Sequence, residues 1–324
     1  MIERNRVVAL RVARVVSAAG GMVPAVHAGD LGELRGLHRD RIDVLWCDAI
    51  DVEGALDAVD AGWVGAVGVW TAHDPRPLFE LTLRDRRLAH VIGWPSFASM
   101  PRPWELTLAT RRLLHPTEPS PRVTDLLSDG AAVVKYQPAS SADRDTVVRD
   151  VEQWLERGQV PGRIAARAGE VIHELLMNAL YDAPVDALGQ PRFAADRRQT
   201  VTLSASEAPT LRVGTDGMLL VLQVSDPFGR LERHRLLGGI LRGYATADGG
   251  GALDLRGGGA GLGLHRVYAA GVACVAEVRP GELTRITCAL DLDTNPRDLR
   301  GQPGSLHLLG ALAGSTSAAS GGWT

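Results

Sequence analysis

Apolar and polar positions alternate along this chain with two different periods, which divide it into predicted strands and helices. In residues 1–116, five short runs rich in β-branched residues predict strands: RVVAL (6–10), MVPAV (22–26), IDVLWCD (42–48), VGAVGVW (64–70) and AHVIGW (89–94). The segments between them, such as 11–20 and 52–61, have helical spacing. This alternation predicts a doubly wound parallel sheet, with functional groups at the carboxyl ends of its strands.

The second half begins after HPTEPSP (115–121), whose prolines predict a linker over residues 117–122. Beyond it we predict a strand at 131–137, a helix at 140–158, a strand at 199–206 and two hairpins at 211–225 and 272–290. Helices packed on a mixed sheet predict an α/β sandwich over residues 123–293. The rest of the chain, 294–324, ends in GSTSAASGGWT and is predicted to be disordered.

The helix predicted at 163–182, RIAARAGEVIHELLMNALYD, carries the first chemical signal. Its apolar residues recur at helical spacing, so one side faces a core. Glu174 and Asn178 lie four residues apart and are expected to project toward the same point. An amide oxygen can ligate a hard cation, and a carboxylate can position a water molecule. The only other asparagines are Asn5 and Asn295, so Asn178 is the best-placed candidate to hold magnesium.

Two later stretches extend this pattern. The predicted strand in QVSDPFGRL ends at Asp226 and is followed by a Pro-Phe-Gly turn. Further on, GGGAGLGLHRVY (257–268) places Gly259, Gly261 and Gly263 at the start of a predicted helix. Such a glycine run frees backbone N–H groups to face a phosphate.

In this order, the three stretches resemble the motifs of the gyrase, chaperone, histidine-kinase and mismatch-repair (GHKL) ATP-binding superfamily, over about residues 123–292. The resemblance implies a site for ATP and Mg²⁺, in which Glu174 is the general base and Asn178 the magnesium ligand. It implies that Asp226 accepts a hydrogen bond from the adenine amino group. Further nucleotide-binding residues implied by the resemblance are Gly229, Gly259, Gly261, Gly263, Leu264, Arg256 and Thr287. The glycine-rich residues 231–258 are the predicted lid, with Arg242 and Arg256 as candidate γ-phosphate contacts.

A strand and a helix precede the Glu174 helix without a dimerising helical hairpin, which is more similar to anti-sigma-factor serine kinases than to full sensor kinases. The resemblance therefore implies an ATPase or a serine/threonine protein kinase that acts in signal transduction. The implied partner is a signalling protein, such as an anti-sigma antagonist, a sigma factor or another regulator, and a homodimer is a further option.

Two departures from the family pattern support a second hypothesis. Phe228 replaces the first glycine of the usual D-x-G-x-G motif, and Asp182 stands where many kinases of the family have a basic residue. The alternative is a catalytically inactive regulator that binds nucleotide, or nothing, and acts as a scaffold for protein contacts. A third alternative is an unrelated two-domain α/β protein.

The first half resembles a response-regulator receiver domain. Asp48 matches the phosphoacceptor position and Thr71 the switch hydroxyl. Arg11 and Val12 replace the acidic pair that would hold magnesium, and Trp94 replaces the expected lysine. Little would therefore neutralise a transferring phosphoryl group. We predict a pseudo-receiver over residues 1–116, in which Asp48 is either a phosphoacceptor or a polar strand end bonded to nearby backbone.

Composition limits the classes of protein and partner. Hydrophobic residues make up 45% and charged residues 23%, as in ordinary globular proteins. The net charge of −3, with Lys135 as the only lysine, argues against general nucleic-acid binding. Cys47, Cys274 and Cys288 lie far apart and indicate small buried residues in a reducing compartment. No signal peptide or membrane-spanning run is visible, so the predicted location is the cytoplasm, without membrane attachment.

Overall fold

A computed structural model describes residues 1–94, 102–247, 262–293 and 302–313, which have a mixed α/β structure. The chain divides into two compact units: Met1–Pro119 with Gly301–Thr324, and Ser120–Arg300. Across the described ranges, none of the helices has both the length and the apolar character that crossing a bilayer requires.

The first unit contains three parallel strands, β1 (Ile42–Asp48), β2 (Val64–Thr71) and β3 (Leu88–Gly93), paired in that order. Its helices are α1 (Arg6–Ala19), α2 (Leu31–Leu37), α3 (Val52–Asp60), α4 (Arg76–Arg84) and α5 (Pro103–Leu114). Helices α3 and α5 contact β1 and β2, and α1 packs on α5. Three buried tryptophans lie in this core: Trp46 stacks on Trp70 at 5.8 Å between ring centroids, and Trp94 meets Trp70 edge-on at 5.5 Å.

Two of the five strands predicted for this unit are wrong. Residues 6–10 instead begin helix α1, because Asn5 caps its first N–H groups and its apolar residues bury one helical face. Residues 22–26 form no strand, since Met22 has a φ of +68° and Pro24 has no N–H to donate to a ladder. The predicted five-stranded parallel sheet is therefore reduced to three parallel strands.

A further strand of the first unit, β9 (Ser305–Gly310), comes from the far end of the chain and pairs antiparallel with β3. The prediction that residues 294–324 are disordered is wrong for this segment. Buried polar contacts hold the strand: His307 Nδ1 lies 3.2 Å from His90 Nδ1, and His307 Nε2 lies 3.0 Å from Glu105 Oε1. The hydroxyl of Ser305 accepts a hydrogen bond of 2.9 Å from the N–H of Gly93. The partner strand is more than 200 residues away, so no local pattern reveals this pairing.

The second unit contains five strands paired antiparallel in the order β7-β8-β6-β5-β4. They are β4 (Ala132–Tyr136), β5 (Thr210–Thr215), β6 (Leu219–Asp226), β7 (Ala273–Arg279) and β8 (Leu283–Asp291). The helices are α6 (Ser141–Arg157), α7 (Gly162–Met177), α8 (Arg233–Ala247) and α9 (Leu262–Ala270). Helix α7 contacts α6, α9 and β6, and α9 contacts β7 and β8.

Most elements predicted for this unit are confirmed, including the strand at 131–137, the helix at 140–158 and both hairpins. The strand predicted at 199–206 is absent: Thr202 makes only an isolated bridge to Ser140. Within the predicted lid, residues 233–247 form helix α8, and residues 248–258 lie outside the described residues.

The helix predicted over residues 163–182 is α-helical only as far as Met177. A π-helical turn, Asn178–Asp182, follows, in which the Asn178 carbonyl accepts a 3.0 Å hydrogen bond from the N–H of Ala183. A π turn contains more residues than an α turn and changes the direction of the side chains that follow it, and such turns are frequent at functional sites.

Candidate functional site

The second unit contains a cavity of about 410 Å³, bordered by the end of α7, by β6 and β8, and by the segment after the π turn. This volume lies within the range of small-molecule sites, roughly 300–1,000 Å³. Its polar lining residues are Asn178, Asp182, Arg197, Asp226, Arg230, Glu232, Arg235 and Thr284. Its larger apolar lining residues are Leu175, Val224, Leu231, Leu264 and Ile286.

A buried carboxylate, Asp226, stands at the end of β6 in this cavity. The strand register places Thr284 of β8 directly opposite it. The carboxylate accepts a 3.0 Å hydrogen bond from the N–H of Phe228, and it also bonds to the N–H of Gly229 and the hydroxyl of Thr284. The Thr284 hydroxyl in turn accepts from the N–H of Arg230 at 3.2 Å. Burial raises the pKa of Asp226 to about 6, although the three donors oppose this effect.

The turn after Asp226 requires a glycine at position 229. Gly229 has a φ of +62°, which L side chains rarely adopt, and a Cβ there would lie 2.0 Å from the carbonyl oxygen of Arg279. The sequence assigned Gly229 to nucleotide binding. In the structure it shapes the turn and donates its N–H to Asp226.

Strand β8 contains two threonines, and the one that lines the cavity is not the one that the sequence predicted. Thr287, predicted to bind the nucleotide, is buried opposite Gln223 and accepts a 3.0 Å hydrogen bond from its amide, and it does not line the cavity. Thr284, which the sequence analysis missed, lines the cavity and bonds to Asp226. The register of the β6–β8 pair identifies Thr284 as the residue opposite Asp226, and neither strand's sequence encodes that register by itself.

Asn178 lines the same cavity and has an unsatisfied amide. Its Nδ2 atom is buried, and the described part of the chain offers it no hydrogen-bond partner. The nitrogen and oxygen of an amide are assigned from the surrounding network, so the unpartnered atom is one end of the carboxamide. Leaving such a group unpaired costs about 1–3 kcal/mol, which a ligand in the cavity would offset.

Glu174, by contrast, is not in the cavity. It lies in a separate groove with Glu170 and His173, where Nη1 of Arg266 donates to its Oε1 at 2.7 Å. Spacing on α7 makes Glu174 a neighbour of Asn178, but the arginine from α9 holds the carboxylate elsewhere. The expectation that Glu174 and Asn178 project toward the same point is therefore not met.

The glycine-rich stretch is described only from α9 onward. Gly259, Gly261 and Arg256 lie outside the described residues. A Cβ on Gly263 would lie 2.4 Å from Oε2 of Glu174, so this glycine allows α9 to approach α7 closely. Leu264 lines the cavity, and Arg242 is exposed on α8.

The residues present fit a nucleotide with magnesium only in a limited way. Within the described ranges, no three or more His, Cys, Asp or Glu side chains are grouped so that they could hold a metal ion. Mg²⁺ is commonly bound by one or two protein oxygens together with substrate phosphates. The unpartnered atom of Asn178 is its amide nitrogen, a donor, and only the opposite flip of the carboxamide puts the oxygen that can ligate Mg²⁺ at that position.

In the first unit, Asp48, Thr71 and Trp94 lie at the carboxyl ends of β1, β2 and β3, as predicted. Asp48 accepts a 3.1 Å hydrogen bond from the N–H of Ile50, and the buried Thr71 hydroxyl accepts one of 3.0 Å from the N–H of His73. Both side chains therefore stabilise the turns after their strands, which is the structural alternative that the sequence left open for Asp48. Arg11 lies within α1, not after a strand.

Comparisons with known proteins give little guidance. No protein-family model matches the chain, and no curated protein matches it. A chain in the crystal structure of the SiaB-SiaC complex from Pseudomonas aeruginosa is similar, with 12% identity and a TM-score of 0.32. The match covers 49% of this chain and 88% of that chain. A likeness at this level supports no argument about fold or function.

Proposed function

We propose that the second unit binds an adenine nucleotide with Mg²⁺ in the cavity that contains Asn178 and Asp226, as a GHKL-type module of a signalling protein. The observation that supports this most is the buried carboxylate of Asp226, fixed by three donors at the cavity wall. An ionised carboxylate only accepts hydrogen bonds, and the exocyclic amine of adenine donates them. The apolar neighbours Val224, Leu264 and Ile286 suit a flat aromatic base.

Magnesium would neutralise phosphate charge in this site. Asn178 would hold it by the carboxamide oxygen, with phosphate oxygens as the other ligands. Asp226 would orient the base, and Leu264 would cover one side of it. Each of these contributions is a binding contribution, independent of whether the nucleotide is hydrolysed.

Turnover as an ATPase or serine/threonine kinase requires Glu174 to reach a nucleophile near the phosphates. Its contact with Arg266 favours a second candidate function, in which the unit binds nucleotide without turning it over and regulates a protein partner. The contact is between a mostly buried carboxylate and an exposed arginine, with side-chain exposures of 16% and 67%. Such a pair is weak enough to exchange when a ligand or partner offers Arg266 another anion.

For the first unit we propose the regulatory, pseudo-receiver role. Three parallel strands carry Asp48 and Thr71 at one edge, and both side chains already bond to nearby backbone. Acetyl phosphate with magnesium should therefore leave no stable aspartyl phosphate on Asp48. Labelling that disappears in Asp48→Asn would contradict this role.

Nucleotide binding is tested by calorimetric titration of the full chain with ATP, with and without Mg²⁺. The wild type should bind more tightly with the metal, and Asn178→Ala should remove that difference. Asn5→Ala is a matched control, because Asn5 caps α1 in the first unit. Equal binding with and without magnesium in the wild type, or no binding at all, would contradict the proposal.

The two candidate functions are separated by phosphate release, alone and with candidate partners. General-base catalysis contributes about 10²–10⁴ in rate, so Glu174→Gln should retain ATP affinity and lose turnover if the unit is an enzyme. Arg266→Gln should raise turnover, because it frees Glu174. If the wild type and both variants bind magnesium-ATP and release no phosphate, the non-catalytic function is the correct one.

A further inference from the structure

An ion pair stands at the cavity wall beside Asn178. Asp182 ends the π turn that begins at Asn178, and Arg197 lies in the segment that follows. Nη2 of Arg197 donates to Oδ2 of Asp182, and both residues line the cavity. Their side chains are only 19% and 26% exposed, for Arg197 and Asp182 respectively.

Among the arginines that line the cavity, Arg197 is distinct. Arg230 is exposed and donates to the carbonyl oxygen of Gly189, and the Arg235 side chain is 66% exposed. Arg197 is enclosed, and Asp182 is its one side-chain hydrogen-bond partner among the residues that the structure describes. A guanidinium has five N–H donors in a rigid fork, so most of its capacity is available to a ligand.

Asp182 is placed to hold that guanidinium rather than to bind a ligand itself. Burial raises the pKa of Asp182, and the nearby Arg197 opposes this effect. A carboxylate that is costly to bury keeps its charge only with a cation close by. The carboxylate therefore holds Nη2 of the guanidinium, and Arg197 lines the cavity that also holds Asn178.

We propose that Arg197 binds the polyphosphate of the nucleotide and that Asp182 is a positioning residue for its guanidinium. This inference rests on the proposed nucleotide site. Arginine binds phosphate through two parallel N–H···O bonds, and these charge-assisted bonds are about twice as strong as neutral ones. Because Asn178 is one π turn from Asp182, the metal-binding amide and the phosphate-binding cation would approach the same end of the ligand.

The experiment compares magnesium-ATP with adenosine by calorimetric titration of the full chain. Arg197→Gln should lose about ten- to hundredfold in ATP affinity and keep its adenosine affinity, since only ATP carries phosphates. Arg197→Lys should bind ATP with intermediate affinity, because it keeps the charge and loses the fork. Arg198→Gln is the matched control: Arg198 is the next residue, exposed and absent from the cavity lining, and its loss should change neither affinity.

Asp182 is tested by repeating the Arg197→Gln substitution in an Asp182→Asn protein. If Asp182 positions the guanidinium, Arg197→Gln costs less ATP affinity there than in the wild type. An equal cost in both backgrounds would overturn the positioning role. Melting temperatures without nucleotide identify any variant that is merely destabilised.

The outcomes separate this inference from the proposed function. If the wild type binds magnesium-ATP and Arg197→Gln binds it equally well, Arg197 is not a phosphate ligand, although the nucleotide site stands. Equal losses of ATP and adenosine affinity in Arg197→Gln would also overturn the phosphate role, because they would show a structural effect. If the wild type binds neither ligand, the proposed function itself fails.

Discussion

Replacing Asp226 with asparagine should stabilise the protein without nucleotide and weaken its binding of ATP. Asparagine has nearly the same shape and retains an oxygen to accept from the N–H of Phe228, so the turn should survive the change. It carries no charge, however, and no longer offers the ionised carboxylate that we propose for the adenine amine. Stability and function should therefore move in opposite directions.

The magnitude follows from the pKa of Asp226. Its ordinary value is 3.8, and burial raises it to about 6. Each pKa unit corresponds to about 1.36 kcal/mol, so keeping Asp226 ionised at about pH 8 lowers the free energy of unfolding by about 3 kcal/mol. Because folding raises this pKa, the penalty is absent below the ordinary value of 3.8, where Asp226 is protonated in both the folded and the unfolded chain. The penalty grows as the pH rises and is complete above about 6.

The free energy of unfolding of Asp226→Asn should thus exceed that of the wild type by up to about 3 kcal/mol at about pH 8, by roughly half of that at pH 5 and by almost nothing at about pH 3. An asparagine oxygen accepts weaker hydrogen bonds from Gly229 and Thr284 than a carboxylate does, so these differences in free energy are upper limits. In a domain of 150–250 residues, about 1 kcal/mol shifts the melting temperature by about 2–4 °C. Thermal melts of both proteins at several pH values measure the difference.

Asp216→Asn is the matched control, because it makes the same chemical change with the opposite expected sign. Burial alone would raise the pKa of Asp216, but the N–H groups of Ser128, Leu219 and Met218 outweigh it and lower the pKa to about 2. Loss of that charge should destabilise the protein, most strongly at neutral pH. A raised pKa of Asp226 is refuted if Asp226→Asn destabilises the protein at every pH, or if the difference in free energy of unfolding does not change between about pH 5 and 8.

Binding provides the second half of the test. A buried group left without its partner costs about 1–3 kcal/mol, so Asp226→Asn should weaken ATP binding by about 5- to 150-fold. The wild type should prefer ATP to GTP, and the variant should lose that preference. Equal affinities of the wild type for ATP and GTP would refute the role of Asp226 in base recognition.

Three further outcomes are expected. Gly229→Ala should destabilise the protein by more than about 1 kcal/mol in chemical unfolding, because the alanine is strained at this φ and its Cβ overlaps backbone. Thr284→Val should weaken ATP binding, whereas Thr287→Val should lower only the melting temperature, since it loses a buried hydrogen bond away from the cavity. Burial and the neighbouring His307 lower the pKa of His90, so the unfolded chain takes up a proton at a higher pH than the folded chain does. The free energy of unfolding should therefore fall as the pH drops through about 6.5, by at most about 1.4 kcal/mol per pH unit for one proton. The melting temperature of His90→Asn should depend less on pH.

The sequence by itself determined those elements whose ends and faces are encoded locally. Helix α6 begins with a reciprocal capping box between Ser140 and Asp143, and helix α7 buries an apolar stripe at helical spacing. Alternation and glycine turns located the hairpins β5–β6 and β7–β8. Asn178, Asp226 and Leu264, which the sequence assigned to one site, line one cavity.

Tertiary structure alone decided which element each buried face meets. A run of residues such as 6–10 suits a strand or a buried helix; the Asn5 cap is a local signal for the helix, and packing against α5 buries its apolar face. Strand β9 depends on contacts between His307 and residues more than 200 positions earlier, such as His90. The periodicity of apolar residues predicts which side chains are buried, but it does not predict which distant residues they contact.

The same reason explains the differences at the site. Strand register, which no single strand encodes, put Thr284 rather than Thr287 beside Asp226. Glu174 contacts an arginine from α9 and does not line the cavity, although its spacing from Asn178 is that of neighbours on a helix. Local sequence thus indicated most of the backbone elements and their apolar faces, whereas the contacts of charged side chains such as Glu174 and Asp182 depend on partners that only the folded chain brings near.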